Sequence, residues 1–132
     1  MYITSSGAEN FGTLTAGANI TISHIAVIAN YGVAGQILLV TKALAASREY
    51  VAGDELILPA GALDLNFPNG EMNDAALKEA WDTWLAAKTG GLTALLGTGA
   101  MGAAGTTNEV ATARGYSRQV VEYTTALGTA PA

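Results

Sequence analysis

The sequence predicts an α+β domain: mostly antiparallel β, arranged as a sandwich-like sheet, with one amphipathic helix. Three observations carry that expectation. The segment Ile20–Ala29 (ITISHIAVIA) alternates in its first half and is apolar throughout its second, as in a strand passing from a half-exposed to a buried setting. An apolar repeat at three- and four-residue spacing occurs over 74–88. Turn signals at 30–35, 53–54, 59–61 and 68–70 punctuate the first seventy residues between apolar, strand-like runs. The 132 residues fit one domain, 1–132. It divides into a β-hairpin half at 1–70 and a half at 71–132 that holds the helix and a Gly-Tyr-x-Arg strand.

The elements follow in order. Residues 14–17 are short and ambiguous. After the strand Ile20–Ala29, the glycines of 30–35 (NYGVAG) supply a turn, because glycine takes positive φ without penalty. Residues 36–44 return as a second strand, which makes a hairpin. The turn pair Gly53-Asp54 precedes a third strand, Glu55–Leu58, and 62–67 forms a fourth, alternating Leu63, Leu65 and Phe67 with Asp64 and Asn66. Pro68-Asn69-Gly70 ends it. The helix spans 74–88: Asn73 caps its orphan amides, Asp74 and Glu79 lie toward its positive end, Lys88 lies in the last turn, and Gly90-Gly91 stops it. Leu77, Ala80, Trp81, Trp84 and Leu85 form its apolar face. A short strand at 92–96, a glycine-rich loop at 97–105, a last strand at 116–123 and a loose tail from Thr124 complete the chain.

Composition narrows the function classes. Only 13% of the residues are charged, against about 25% in ordinary soluble domains. Half are apolar and 16 are glycine. A small domain dispersed on its own needs a surface about 25–35% charged, so much of this exterior is expected to be covered by other subunits. The net charge of −5 and the pI near 4.6 argue against nucleic-acid binding, which uses a basic patch. The absence of cysteine removes disulfides, thiolate metal sites and thiol nucleophiles, and one histidine, His24, excludes a multi-histidine metal cage. No apolar stretch approaches the ~18 residues of a membrane helix, and the first residues, MYITSSG, lack the basic and apolar regions of a signal peptide.

The sharpest enzymatic feature is Gly97-Thr98-Gly99-Ala100-Met101-Gly102, after a strand and followed about twenty residues later by Glu122, the outline of a dinucleotide-binding fingerprint. The fingerprint needs a helix directly after its glycines. Ala103 to Asn108, with Gly105 and two threonines, is poor helix-nucleating material, so the expectation is a flexible loop without cofactor. His24, mid-strand among isoleucines, reads as a hydrogen-bonded or interface residue. Asp54, Glu55 and Asp64 read as turn and surface carboxylates rather than an acid–base pair. Trp81 and Trp84 read as core, with an interface as the second reading. Ser5 and Ser6 show no triad arrangement. No catalytic, cofactor-binding or metal-binding residue is expected, and the chain is expected not to be an enzyme.

Two stretches resemble a family of small phage proteins usually called tail fibre proteins, whose members also occur as capsid decoration or cement proteins. Gly115-Tyr116-Ser117-Arg118-Gln119-Val120-Val121, after a Gly/Thr-rich loop and Asn108-Glu109-Val110, resembles the family's Gly-Tyr-x-Arg strand; with the helix before it, this half covers 73–123. Thr21-Ile22-Ser23-His24, Gly35-Gln36-Ile37-Leu38-Leu39, Val51-Ala52-Gly53-Asp54-Glu55-Leu56 and Pro59-Ala60-Gly61-Ala62-Leu63-Asp64-Leu65 resemble its Val-Thr-His, Gly-x-x-Leu-Leu, Gly-Asp and Ala-Gly-Ala-Leu segments. In the family the helix half comes first; here it comes second, a circularly permuted order. The family's usual Thr-x-x-Pro after the short strand is also missing. The resemblance implies a non-catalytic structural virion protein on the capsid surface, made in the host cytoplasm. Its expected partners are the major capsid protein and its own copies, as a homotrimer, with neither nucleic acid nor membrane. A tail fibre or tail-tip component is the alternative within that class, and a nucleotide-binding protein using the Gly97–Gly102 loop is the alternative outside it.

Overall fold

A computed structural model of the chain describes residues 2–5, 7–58, 65–67 and 71–127. The fold is α+β, with about 45% strand in antiparallel sheets and a single α-helix among the described residues. In chain order the elements are β1 (Tyr2–Ser5), β2 (Glu9–Thr13), β3 (Ile20–Ala29), β4 (Ile37–Tyr50), β5 (Glu55–Leu58), β6 (Leu65–Asn66), α1 (Asp74–Ala87), β7 (Leu92–Gly97), a 3-10 turn (Thr112–Arg114), β8 (Gln119–Val121) and β9 (Tyr123–Ala126). They form three sheets: a four-stranded one in the order β4-β3-β7-β8, a three-stranded one in the order β6-β1-β9, and the pair β2-β5.

The four-stranded sheet is central because β3 and β7 are apolar on both faces. Residues 25–29 of β3 and every residue of β7 are buried, as expected of strands covered on both sides. Ala94 and Leu96 join Ile25 and Val121 in a core closed by Phe11, Leu14, Leu56 and Leu58 of the β2–β5 side, together with Tyr50, Val110 and Tyr116. Farther along, Val27, Ala29 and Leu92 meet Trp84 and Leu85 of α1. Ile3 and Leu65 of the three-stranded sheet meet Leu77, Trp81 and Leu85. Ala26, Ile28 and Leu95 turn the other way, against Leu38 and Met101.

Local chemistry explains the boundaries. The hairpin forms as expected, with β3 antiparallel to β4 and Asn30 (φ +54°) opening the turn, where the Asn30 side-chain oxygen accepts from the Gly90 amide at 2.9 Å. At α1, the Asn73 side chain accepts from the Ala75 amide at 2.9 Å. Lys88 is the C-cap rather than a helical residue, its amide donating to the Leu85 carbonyl. The Gly91 amide then donates to the Lys88 carbonyl at 2.8 Å.

The structure corrects several expectations. Tyr2–Ser5 and Glu9–Thr13 are strands that the alternation does not announce. Strand β4 runs to Tyr50 rather than Leu44, because Arg48, Glu49 and Tyr50 stay paired with Ile22, Thr21 and Ile20 beyond a bulge. The expected strand at 116–123 is two strands in different sheets. Residues 116–118 precede β8, and Tyr123 begins β9, which pairs with β1 from Ser5↔Tyr123 to Tyr2↔Ala126, so 124–126 is not a loose tail. Leu14 is buried core. Of the expected strand at 62–67, Leu65 and Asn66 form β6; Ala62, Leu63 and Asp64, like Pro68-Asn69-Gly70, lie outside the described residues. No residue of α1 is fully buried, so its tryptophans are not the deep core that the sequence suggests.

Two glycines make a controlled comparison. Gly115 (φ +85°) and Gly53 (φ +95°) share left-handed backbone but not surroundings. A Cβ on Gly115 would lie 2.1 Å from the Thr13 carbonyl oxygen, whereas nothing lies within 4 Å of one on Gly53. Gly53→Ala is expected to cost about 1–2 kcal/mol of backbone strain, and Gly115→Ala at least ~3 kcal/mol because backbone must also move. Denaturant titration of both variants checks this; equal losses would refute the close approach.

Candidate interaction surface

The segment after β7 is a packed cover. Leaving Gly97, the chain ties itself down through the Thr98 amide to the Asn108 carbonyl, the Thr107 amide to the Met101 carbonyl (both 3.0 Å), and Asn108 Nδ2 to the Ala100 carbonyl (2.9 Å). Met101, 1% exposed, enters the Ala26–Ile28–Leu95 cluster. Gly105 lies so close that an added Cβ would be 2.7 Å from Leu38 and 3.5 Å from Ala26. Where the sequence suggests a flexible loop, Gly105 lets the backbone lie against the sheet. Residues 102–105 turn instead of opening a helix, so the phosphate-binding geometry of a dinucleotide fingerprint is not built here. Glu122 lies between β8 and β9, exposed to solvent.

Beside this cover is a polar cluster. Strand β8 pairs with β7 at Leu92, Thr93 and Ala94, which leaves the outer edge of β7 open beyond them. The opening is filled by the Val110 amide donating to the Leu96 carbonyl (3.0 Å), a Gly97↔Glu109 bridge, and the Tyr116 hydroxyl accepting from the Leu96 amide (3.1 Å). The same hydroxyl donates to Glu109 Oε2 at 2.8 Å, and Arg118 grips both carboxylate oxygens at 2.7 and 2.6 Å. Burial pushes the Glu109 carboxyl up from its ordinary range, while these donors favour its charged form. Burial first, and the charge of Glu109 after it, holds the Tyr116 hydroxyl well above its ordinary value. The Arg118 guanidinium also lies 4.5 Å from the Tyr31 ring centroid, which pins the β3–β4 turn. Glu109, Tyr116 and Arg118 thus hold one another in a clamp. The sequence displays Gly-Tyr-x-Arg and the acidic residue, but their convergence depends on the edge of β7, to which the Tyr116 hydroxyl and the Glu109–Val110 backbone both attach.

The other side of the molecule is less closed. Helix α1 rests on the sheet by half-buried side chains: Phe67 and Trp81 lie 4.7 Å apart, Trp81 and Trp84 5.1 Å, and the Lys88 ammonium sits 4.8 Å over the Trp84 ring. Two grooves reach the helix, and a third lies between β4 and β6. One of about 370 Å³ is lined by Ile37, Ala80, Trp81 and Trp84. A second of about 360 Å³ runs along Leu85, Leu92 and Val120, and a third of about 310 Å³ runs along Val40, Lys42 and Phe67. Ile37 and Val120 are 44% and 65% exposed. Apolar walls that a chain does not fill mark interaction surfaces. The sequence had signalled the tryptophans, but Ile37 and Val120 looked like ordinary strand residues.

The remaining candidates stay dispersed. His24 is half-buried and pairs with the Ser23 hydroxyl at 2.7 Å. Asp54 Oδ2 accepts from the Val51 amide at 2.9 Å inside its turn, and Glu55 is exposed at the start of β5. Ser5 is buried opposite Tyr123; Ser6 and Asp64 lie outside the described residues. Among the described residues no three His, Asp or Glu side chains converge on a metal-sized site, and no helix is long and apolar enough to cross a membrane.

Two measurements test this description. Tyr116→Phe removes the acceptor of the Leu96 amide and a donor to Glu109, and is expected to cost about 1–3 kcal/mol. In a double-mutant cycle with Glu109→Gln the two losses should be non-additive; additive losses would dissolve the clamp. On the helix, Lys78 (2.7 Å) and the Thr125 hydroxyl both donate to Asp82 and hold its carboxyl below the ordinary range, Lys78 contributing most. The Asp82 contribution to stability is therefore present above the unfolded carboxyl value near ~3.9 and lost as pH falls through the lower folded value. In an NMR titration Lys78→Met should raise the Asp82 midpoint; an unmoved midpoint would remove Lys78 as the cause.

No family model matches the chain, and neither does any curated protein or solved structure.

Proposed function

We propose that this chain is a non-catalytic structural virion protein, a capsid decoration or cement protein that binds the outer capsid lattice through the major capsid protein and also binds its own copies. The observation that carries this reading is the half-covered aromatic side of α1, flanked by apolar grooves. A chain with 13% charged residues has little with which to keep that side in water alone. Covering it with a second protein surface removes apolar area from water, and the two tryptophans are the side-chain type that most often dominates such contacts. The permuted order belongs to the same proposal: Tyr2 lies opposite Ala126, which brings sequence-distant strands together as a rearrangement of two halves requires. Met1 and Ala132 lie outside the described residues.

Trp84→Ala tests the reading. Because the indole is only half-buried, the variant is expected to stay folded, with a stability loss of about 1–3 kcal/mol, while self-association measured by sedimentation weakens at least ~10-fold. In reconstructed virions the chain's density should lie on the outer capsid shell with α1 turned toward a neighbour. A wild-type chain that stays monomeric at all concentrations and binds no capsid would sink the proposal.

A further inference from the structure

Strand β4 is the outer strand of the four-stranded sheet and, among the described residues, pairs with β3 alone. At 14 residues it is the longest strand, and Thr41, Ala43, Arg48 and Glu49 along it are exposed. A long exposed edge presents unpaired backbone groups to any strand of matching register.

The register of β4 against β3 defines which strand matches. In an antiparallel ladder, successive residues direct their amide and carbonyl groups alternately toward the neighbour and away from it. Lys42 lies opposite Ile25 and Glu49 opposite Thr21. Ile25 and Thr21 are an even number of residues apart, so Lys42 and Glu49 occupy the same class of position although their own separation is odd. The bulge that sets residues 44–47 against Ser23 makes the difference. Two β4 strands running antiparallel about a two-fold axis, Lys42 opposite Glu49, therefore match class with class where 41–43 of each lie opposite 48–50 of the other. Thr41 falls opposite Tyr50 and Ala43 opposite Arg48. A one-residue slip breaks that match, and the symmetric pairing of Lys42 with Lys42 sets like charges against each other.

We propose that β4 is a homotypic docking strand, through which two copies of this chain pair antiparallel with Lys42 of each opposite Glu49 of the other. The choice of a second copy rests on this charge match, which the two-fold axis uses twice. Lys42 already interacts within its own subunit, and the second copy's carboxylate adds to that contact. The inference builds on the self-associating reading above and names a contact separate from the helix side.

The test is a charge-swap series read by sedimentation equilibrium, with folding checked by circular dichroism. Lys42→Glu and Glu49→Lys should each weaken dimerisation about tenfold, since each turns two attractions into two repulsions. The double swap should return to within about threefold of wild type. The chain has no cysteine of its own, so Lys42→Cys chains mixed with Glu49→Cys chains should give disulfide-linked heterodimers faster than either alone gives homodimers. Single swaps that associate like wild type, a double swap as weak as the singles, or no preference in the cysteine mixture would overturn the β4 contact and leave self-association through α1 standing. A wild-type chain that is monomeric throughout would overturn both.

Discussion

Strand β3 must be kept from water on both faces, and most of the architecture answers that constraint. From Ile25 to Ala29 it is buried without interruption, flanked by β4 on one side and β7 on the other. One face is closed in two portions, by the β2–β5 pair and by α1. The opposite face is closed by Met101 and the glycine-rich segment that carries it. Close-packed interiors tolerate little empty volume, which is why a segment with the composition of a linker lies flat on the sheet. The same constraint accounts for the backbone-to-backbone approach of Gly115 and Thr13, where β2 meets the turn before β8.

The Glu109 clamp answers a second constraint, the half-finished edge of β7. A buried amide without a partner is expensive, and Leu96 would have one where β8 stops pairing. A tyrosine hydroxyl is suited to this position because it accepts from the amide and still donates a proton to the carboxylate beyond. Arg118 then neutralises the carboxylate and reaches Tyr31. One polar chain thus joins the edge of β7, the glycine-rich cover and the hairpin turn.

The parts legible in the sequence were those whose signal is local. The strand from Ile20 to Ala29, the short strand Glu55–Leu58 and the helix from its Asn73 cap to Gly90-Gly91 needed only alternation, helical spacing and capping chemistry. What escaped depends on partners remote in the chain. In β2, Phe11 alone is buried and Gly12 breaks the alternation; in β4, residues 48–50 are strand because β3 pairs with them, not because of a hydrophobic pattern. Residues 116–118 stay outside β8, where the Tyr116 hydroxyl bonds Leu96 and Glu109, and the apparently continuous strand breaks at Glu122, where the chain passes from one sheet to another. The half-exposure of Trp81 and Trp84 follows from how α1 sits on the sheet, which helical spacing alone does not specify.

The ladder between β1 and β9 has a consequence for how the molecule forms. Its strands come from opposite ends of the described chain, so closing it means closing the longest loop available, and chain entropy makes such contacts late and slow. The β3–β4 hairpin is local and suited to form early, but β7 reaches β3 only after the intervening residues have collapsed. Until then, residues 25–29, apolar and strand-prone, face solvent. Concentration during refolding is therefore the variable most able to divert this chain into aggregates, and a neighbouring copy that catches the open strand too early competes directly with the chain's own β7.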